Sequence, residues 1–197
     1  MDRADIVELH FITPIASLSS ILEHGILSNR RAARFPHKDL AMKEIQARRK
    51  DKPIRGTDKH LHDHANLYFD AHNPMLSRVR GQNDVICILR ISTAVLDLDG
   101  VIVSDRNASS DWARFFPVKE GLAAINKEVV YSRYWPHPEN PFKEMEHKSI
   151  KCAEVLVPDK VEPSHILGVY VANNKALEAF RKLEVDLSVQ VKSDIFF

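Results

Sequence analysis

The stretch Lys148-Ser-Ile-Lys-Cys-Ala-Glu-Val-Leu-Val-Pro158 combines an apolar strand pattern with a single carboxylate, Glu154. Side chains alternate along a strand, so Cys152, Glu154 and Leu156 are expected on one face. A carboxylate inside such a strand is costly to desolvate unless it is paired or unless it faces a cleft. Glu154 is therefore expected either to pair with a lysine or arginine or to meet a ligand. Because Glu154→Ala would remove a desolvated charge, we expect that variant to fold at least as well.

Length and charge indicate the class of protein. A chain of 197 residues predicts one domain, covering residues 1–197. Its 28 Lys and Arg against 27 Asp and Glu argue against binding of nucleic acid by bulk charge, yet leave a local basic groove open. Basic side chains are frequent between about residues 28 and 60, a polar segment that we expect to form a mobile lid.

Cysteine use and hydropathy suggest the compartment. Cys87 and Cys152 both lie in apolar strand-like runs, which is typical of reduced thiols in a cytosolic protein. No apolar stretch approaches the ~20 residues of a membrane span, and the N-terminus lacks the order of a signal peptide. The sequence therefore predicts a cytoplasmic protein without a membrane segment, and we expect a monomer.

The N-terminal pattern places a histidine between a strand and a helix. Residues 5–12 alternate as a strand, Thr13 is suited to cap a helix, and Pro14 to its first position. Gly25 can end that helix in the left-handed conformation. His10 is thus expected at the end of the strand, either as a hydrogen-bonded structural residue or as part of a site.

Three alternating histidines, His60, His62 and His64, suggest a second kind of chemistry. They follow a helix predicted for residues 38–49 and would share one face of a strand, where they could bind a metal. The spacing lacks one residue of the metallo-β-lactamase pattern, so no metal is predicted. A metal-dependent hydrolase nevertheless remains an alternative.

The remaining pattern predicts an α+β fold, because strands and helices do not alternate strictly. The other predicted strands are residues 65–70, 85–91, 101–103, 166–171 and 187–191. A helix that bears Leu177 and Phe180 follows, capped by either Asn173 or Asn174. Aromatic residues are frequent between Trp112 and Trp135, where they could either cover the core or stack on bases.

No Gly-rich phosphate loop is present, so any bound nucleotide is not held by a Rossmann or P-loop motif. The order of His10, Tyr68 and Glu154 is similar to the H-Y-E arrangement of diphtheria-toxin-like ADP-ribosyltransferases. The chain more closely resembles the DarT toxins, which ADP-ribosylate bases in single-stranded DNA. Six collinear stretches carry this resemblance: His10-Phe-Ile-Thr13 with Leu18 and Ile21-Leu22, Ile45-Gln-Ala-Arg-Arg49, Leu61-His-Asp63 with Tyr68-Phe69, Asn73-Pro-Met-Leu76, Ser104-Asp-Arg106 with Ala113-Arg-Phe-Phe116, and Cys152-Ala-Glu-Val-Leu-Val157.

The resemblance implies an NAD-binding cleft between two small antiparallel or mixed sheets, with NAD as substrate and no metal. It implies that His10 and Thr13 hold a ribose of NAD and that Tyr68 stacks on the nicotinamide. Glu154 would bind the 2′-hydroxyl of the nicotinamide ribose and stabilise the positive charge that grows there. Arg49 would contact the NAD phosphates and the anion that develops on the target base.

The resemblance also implies that His62 lies near the target base. The chain departs from the family pattern at His64, at Cys152 and at Asn107, where the family usually has an aromatic residue, a Gln and a His. Because Cys152 and Asn107 would lie on the acceptor side, guanine remains an alternative to thymine, and RNA or protein an alternative to DNA. A catalytically inactive binding module is disfavoured by the retained Glu154 and Arg49. A macrodomain-type antitoxin is the implied partner.

Overall fold

A computed structural model describes residues 1–35, 40 and 43–197 of the chain. Its described helices are α1 Leu18–His24, α2 Asn29–Ala32, α3 Lys43–Lys50, α4 Pro74–Arg78, α5 Val118–Ala124, α6 Lys127–Val130, α7 Pro141–Lys151 and α8 Asn174–Arg181. Its described strands are β1 Leu9–Pro14, β2 Ile26–Leu27, β3 His64–Tyr68, β4 Ile86–Ile91, β5 Ile102–Ser104, β6 Phe115–Pro117, β7 Glu154–Pro158, β8 Lys160–Val161, β9 Ile166–Val171 and β10 Val189–Val191.

The main sheet has the strand order β10-β9-β4-β1-β3-β7-β5-β6, and β2 pairs with β8 in a small second sheet. One pairing in the middle of the main sheet is very short, because β1 and β3 meet only where His10 pairs with Tyr68. The sheet therefore consists of two four-stranded halves that separate beyond this pair. The predicted α+β class is confirmed, and the two halves correspond to the two small sheets that the resemblance implied.

Strand β4 is central, as its apolar pattern predicts. Its residues Ile86 to Leu89 are fully buried, and the strand lies between β1 and β9. Leu18 of α1 and Phe180 of α8 contribute to the same hydrophobic core as Leu89. Strand β9 matches its sequence prediction, and of the two predicted caps of α8 it is Asn173 whose side chain accepts a hydrogen bond from the Ala176 N–H group.

The prediction for the first strand was wrong at both ends. Residues Arg3–Asp5 form a 3-10 turn and β1 begins at Leu9. Thr13 does not cap a helix, because its backbone pairs with Cys87 in the ladder between β1 and β4. Pro14 instead precedes a short 3-10 turn that leads into α1. Gly25 ends α1 as predicted, and its φ of +87° is positive, but its ψ of 177° differs from the left-handed helical conformation that was expected.

The strand expected from Lys148 was also wrong, because residues up to Lys151 belong to α7. The Asn140 side chain caps this helix by accepting from the Lys143 N–H group, and Pro141 occupies a first-turn position. Strand β7 therefore begins at Glu154, two residues after Cys152. Glu154 is the first residue of its strand, where it can meet both the sheet and the loops at its edge.

Part of the basic segment 28–60 is tied to the core. Ile54 is fully buried in a small cluster with Leu61 and Leu156, and Arg30 forms an ion pair with Asp63 at 2.8 Å. Core packing thus holds part of the segment, and whether the rest moves as a lid stays a prediction. The helix predicted here is described from Lys43 to Lys50; its predicted start at residue 38 lies outside the described residues.

Candidate functional site

Four polar side chains belong to one row across the sheet. His10 on β1 pairs with Tyr68 on β3, Tyr68 with Glu154 on β7, and Glu154 with Ser104 on β5. Residues directly opposite each other on neighbouring strands project from the same face of a sheet. The row therefore brings the three predicted H-Y-E residues together at the point where the two sheet halves separate.

Glu154 is almost fully buried, with 1% of its surface exposed. Both of its oxygens bind Arg49, which donates from Nη1 to Oε1 at 3.1 Å and from Nη2 to Oε2 at 3.0 Å. The Ala108 N–H group donates a further hydrogen bond to Oε1 at 2.9 Å. These three bonds hold the carboxylate rigidly and satisfy most of its acceptor capacity.

A cleft of about 1470 Å³ opens beside this row. Six of the predicted site residues line it: Thr13, Arg49, His62, Tyr68, Asn107 and Cys152. Glu154 is not in the lining, but Arg49, which is, binds both of its oxygens. The cleft is lined by residues of α1 and α2 as well as by residues of the loop after β5 and of helix α7. It is large enough for a dinucleotide together with an acceptor group.

His10 lies next to the cleft lining and not in it. Its Nε2 atom is 3.4 Å from Glu8 Oε1, and its buried Nδ1 atom has no hydrogen-bond partner in the described structure. Glu8 also accepts from Arg90 Nε at 2.8 Å. Desolvation raises the pKa of Glu8, but hydrogen bonds from His10, Arg90 and Tyr170 outweigh it and hold the pKa at about 2.

Two neighbours of Glu154 are held in their neutral forms. Desolvation, and secondly the negative charge of Glu154, raises the pKa of Tyr68 well above its ordinary value. The same two causes raise the pKa of the Cys152 thiol to about 12. Tyr68 can therefore donate a hydrogen bond or stack as a neutral phenol, and Cys152 cannot serve as a thiolate nucleophile near neutral pH.

The loop that follows β5 contributes to the site in a way that sequence reasoning missed. Asn107 accepts hydrogen bonds from Ser109 N and Ser109 Oγ, which forms a tight turn. This turn directs the Ala108 N–H group at Glu154, and Asn107 N donates to Ser149 O of α7 at 2.8 Å. The sequence does not show directly which backbone N–H group will bind a side chain. The Asn-x-Ser pattern at Asn107, which is typical of a tight turn, was the signal available in the sequence.

The three histidines do not share a strand face, so that part of the metal hypothesis was wrong. Leu61–Asp63 form a 3-10 turn, which breaks the alternation before β3 begins at His64. His62 Nε2 donates to Gln46 Oε1 at 3.0 Å, and His64 Nδ1 lies 3.0 Å from His60 O. Residues 1–35, 40 and 43–197 contain no group of three or more His, Cys, Asp or Glu side chains arranged to hold a metal ion. In the same residues, no helix is both long and apolar enough to cross a bilayer.

Comparisons with known proteins identify the family. Residues 10–197 match the family model described as ssDNA thymidine ADP-ribosyltransferase, DarT. The DNA ADP-ribosyl transferase of Thermus sp. is 30% identical over 162 residues, which cover 76% of this chain and 73% of that protein. A fusion of DNA ADP-ribosyl transferase and DNA ADP-ribosyl glycohydrolase from Thermosipho africanus is 28% identical over 96% of this chain. The chain spans 49% of that fusion protein.

Solved structures show the same fold. Thermosipho africanus DarTG in complex with ADP-ribose has a TM-score of 0.80 at 27% identity, covering 96% of this chain and 51% of that one. Thermus sp. DarT in complex with ADP-ribosylated ssDNA has a TM-score of 0.81 at 23% identity, covering 98% and 97%. The family predicted from six short motifs is therefore confirmed. The chain belongs to the DarT family of ssDNA thymidine ADP-ribosyltransferases.

Proposed function

We propose that this protein transfers ADP-ribose from NAD to a base, thymine, in single-stranded DNA. Family membership supports the activity. The observation that carries the proposal is the fixed Glu154 carboxylate, which lies in register with Tyr68 and His10 where the sheet halves separate. A rigid anion at this position suits a reaction whose transition state gains positive charge on a ribose.

In the proposed reaction a nitrogen of the base bonds to C1′ of the nicotinamide ribose. The C1′–N bond to nicotinamide breaks, and its electron pair leaves with neutral nicotinamide. The proton of the base N–H group is released, so one proton is formed for each transfer. Glu154 stabilises the ribose more strongly as its charge develops than in the ground state, which accelerates bond breaking.

The hydrogen bonds around Glu154 leave room for this role. Oε1 accepts from Arg49 and Ala108, whereas Oε2 accepts from Arg49 alone among the bonds described. A carboxylate oxygen can accept two hydrogen bonds, so Oε2 would accept one more from a ribose hydroxyl once the side chains that cover Glu154, which is 1% exposed, move aside on NAD binding. Arg49 would thus hold Glu154 in place, and its guanidinium would also stabilise the anion that forms on the base as its proton leaves.

The two ends of the cleft suggest separate places for the two substrates. On the β1 side, Thr13 and Tyr68 would contact NAD. The unpartnered Nδ1 of His10 would accept a hydrogen bond from a ribose hydroxyl after a small shift of the His10 side chain toward the cleft. Asn107, in the loop after β5, would contact the acceptor base together with Cys152 and His62, which also line the cleft. Transfer then occurs at Glu154, which separates the two sides of the row.

Guanine is the second candidate for the acceptor base. Cys152 lines the cleft and is neutral, so it offers a smaller and less polar contact than the amide usual in the family. Replacing the amide by Cys152 would change which edge of the base the site binds. The residues that would contact NAD match the family pattern.

The protein is further proposed to act as a monomeric cytoplasmic toxin with a cognate antitoxin that removes the modification. The Thermosipho relative supports the partner, because its name joins a DNA ADP-ribosyl transferase to a DNA ADP-ribosyl glycohydrolase. Co-expression with such a glycohydrolase is expected to restore growth of cells that produce this protein.

Labelled NAD tests the activity directly. Purified protein is incubated with NAD labelled in its adenylate moiety and with oligonucleotides of DNA, oligonucleotides of RNA, or a protein mixture. Label is expected on single-stranded DNA that contains thymine, and it should be lost with Glu154→Gln. Label only on RNA or protein would overturn the proposed acceptor, and no label on any acceptor would overturn the activity.

A further inference from the structure

The loop between β5 and β6, beside the cleft, contains a cluster of one carboxylate and two guanidinium groups: Asp105, Arg106 and Arg114. Asp105 is 4% exposed and accepts from Arg114 N at 3.0 Å and from Arg114 Nε at 2.9 Å. Arg114 Nη2 lies 2.8 Å from the same carboxylate. Asp105 therefore uses most of its acceptor capacity on Arg114.

Arg106 is left without a comparable partner. Its Nε atom is 3.5 Å from Asp105 Oδ1, and this buried atom has no hydrogen bond in the described structure. The Arg106 side chain is 18% exposed and lines the cleft. A buried guanidinium nitrogen without an acceptor is costly, so a ligand that supplies an acceptor here would be stabilised.

The charges of this cluster favour an anion. Two arginines and one aspartate give it one net positive charge, and both arginines line the cleft. Two acidic residues, Asp111 and Glu146, also line the cleft, but both are exposed and therefore screened by water. The fork of Nε and an Nη atom matches two oxygens of a phosphate, which Arg binds in a bidentate manner.

The position of Arg106 distinguishes the two substrates that could supply this phosphate. Arg106 is two residues beyond Ser104, which pairs with Glu154 on the side opposite Tyr68. Strand β5 is two strand spacings, about 10 Å, from β3. The Ser104 hydroxyl donates to Arg106 O at 2.7 Å and fixes the backbone there. Arg106 thus lies beyond Glu154 on the acceptor side of the row, away from the strand that would contact NAD.

We propose that Arg106 binds a phosphodiester of the acceptor strand next to the modified base, with Asp105 and Arg114 orienting it. This inference rests on the proposed function. A phosphate contact fixes the position of the strand and carries no base specificity, so Arg106 would set how tightly any acceptor strand binds and Asn107 and Cys152 would contact its base.

The test compares Arg106→Gln with Arg106→Lys and with Arg181→Gln, a control on the exposed surface of α8. The measured quantities are the KM for a thymine-containing oligonucleotide at several salt concentrations and the Kd for NAD. Arg106→Gln is expected to raise the oligonucleotide KM by about tenfold, because one charged hydrogen-bonded contact is lost. The dependence of log(kcat/KM) on log salt should become shallower by ~0.7.

Arg106→Lys keeps the charge but loses the fork, so it should retain the salt dependence and recover part of the KM. Arg181→Gln should have the oligonucleotide KM and the salt dependence of the unmodified protein. The Kd for NAD should be the same in all of these variants. An unchanged oligonucleotide KM and salt dependence in Arg106→Gln would overturn the inference, and so would a loss confined to NAD binding, which would place Arg106 on the diphosphate. If Arg106→Gln does not fold, an unchanged KM in Arg106→Lys would count against it equally. Failure of the unmodified protein to label DNA would instead refute the proposed function.

Discussion

Arg49 and Glu154 form a two-point ion pair at the floor of the cleft, with N–O distances of 3.0 and 3.1 Å. Both residues are buried, with 8% and 1% of their surfaces exposed. They come from elements that are far apart in the chain, since Arg49 belongs to α3 and Glu154 to β7. The pair therefore couples the basic segment to the sheet as well as fixing the carboxylate.

The first prediction concerns stability. Removing one member of a buried ion pair leaves the other charge desolvated and costs ~3–5 kcal/mol, whereas removing both costs less than the sum. Glu154→Ala and Arg49→Ala should each lower the free energy of unfolding. The loss in the double variant should be smaller than the sum of the two single losses. This corrects the expectation that Glu154→Ala would fold at least as well, because the sequence did not reveal that Arg49 would lose a buried two-point ion pair.

Urea denaturation of the four proteins measures this coupling. Glu178→Gln on the exposed surface of α8 serves as a control that should match the unmodified protein. Additive effects of the two alanine substitutions would mean that the ion pair does not contribute to stability as proposed.

The second prediction concerns catalysis. Glu154→Gln keeps the shape of the side chain and one oxygen for the Ala108 N–H group, but it removes the negative charge. We expect the transfer rate to fall by ~10²–10³-fold with little change in the affinity for NAD, because the charge acts mainly in the transition state. Single-turnover rates and NAD binding by calorimetry separate the two effects. A variant that transfers at the original rate would exclude Glu154 as the catalytic carboxylate.

Sequence patterns predicted well those features that depend on local periodicity. Strand β9 and the cap at Asn173 follow directly from apolar runs and helix-capping chemistry. The row from His10 to Glu154 could be expected only through the family resemblance, because cross-strand register depends on contacts between distant segments.

Other features could not be read from the sequence for physical reasons. The helix ending at Lys151 and the strand beginning at Glu154 are separated by only two residues, so the apolar and charged patterns overlap. The Ala108 N–H bond depends on backbone geometry, which any residue except proline could provide. The Arg49 to Glu154 pair joins residues that are 105 positions apart.

The third prediction concerns pH. The pKa of Glu8 is lowered from 4.5 to about 2 in the folded protein, so its contribution to stability is fully present above pH ~4.5. It is lost as the pH falls from ~4.5 through ~2, because the folded protein then takes up the proton that the unfolded chain already binds. The melting temperature, measured between pH 6 and 2.5, should fall less steeply with decreasing pH for Glu8→Gln than for the unmodified protein. Parallel curves would show that Glu8 is not the responsible group.

The fourth prediction concerns the proposed lid, residues 28–60. The described part of helix α3 has eight residues, too few for a stable isolated helix, and four of its side chains line the cleft: Ile45, Gln46, Arg48 and Arg49. NAD that contacts these side chains should hold the helix in place. Saturating NAD is therefore expected to slow tryptic cleavage after the exposed Arg48 and Lys50. Cleavage after Arg181 is the internal control, and equal slowing at both sites would argue against a local effect.

The last prediction is that single-stranded DNA is labelled far faster than duplex DNA. A base in a duplex hides its Watson–Crick edge, and extruding it costs a few kcal/mol, for which a small domain of net charge +1 has little binding energy. A single strand avoids that cost, and the exposed Trp112 at the cleft can stack on a base, contributing ~1–3 kcal/mol. Trp112→Ala should therefore weaken binding of the oligonucleotide about tenfold without changing NAD affinity.

To test the single-strand preference, one oligonucleotide is tested alone and annealed to its complement, with each base replaced in turn. Equal labelling of both forms would refute the single-strand preference, and labelling that persists after every thymine is replaced would move the target to guanine.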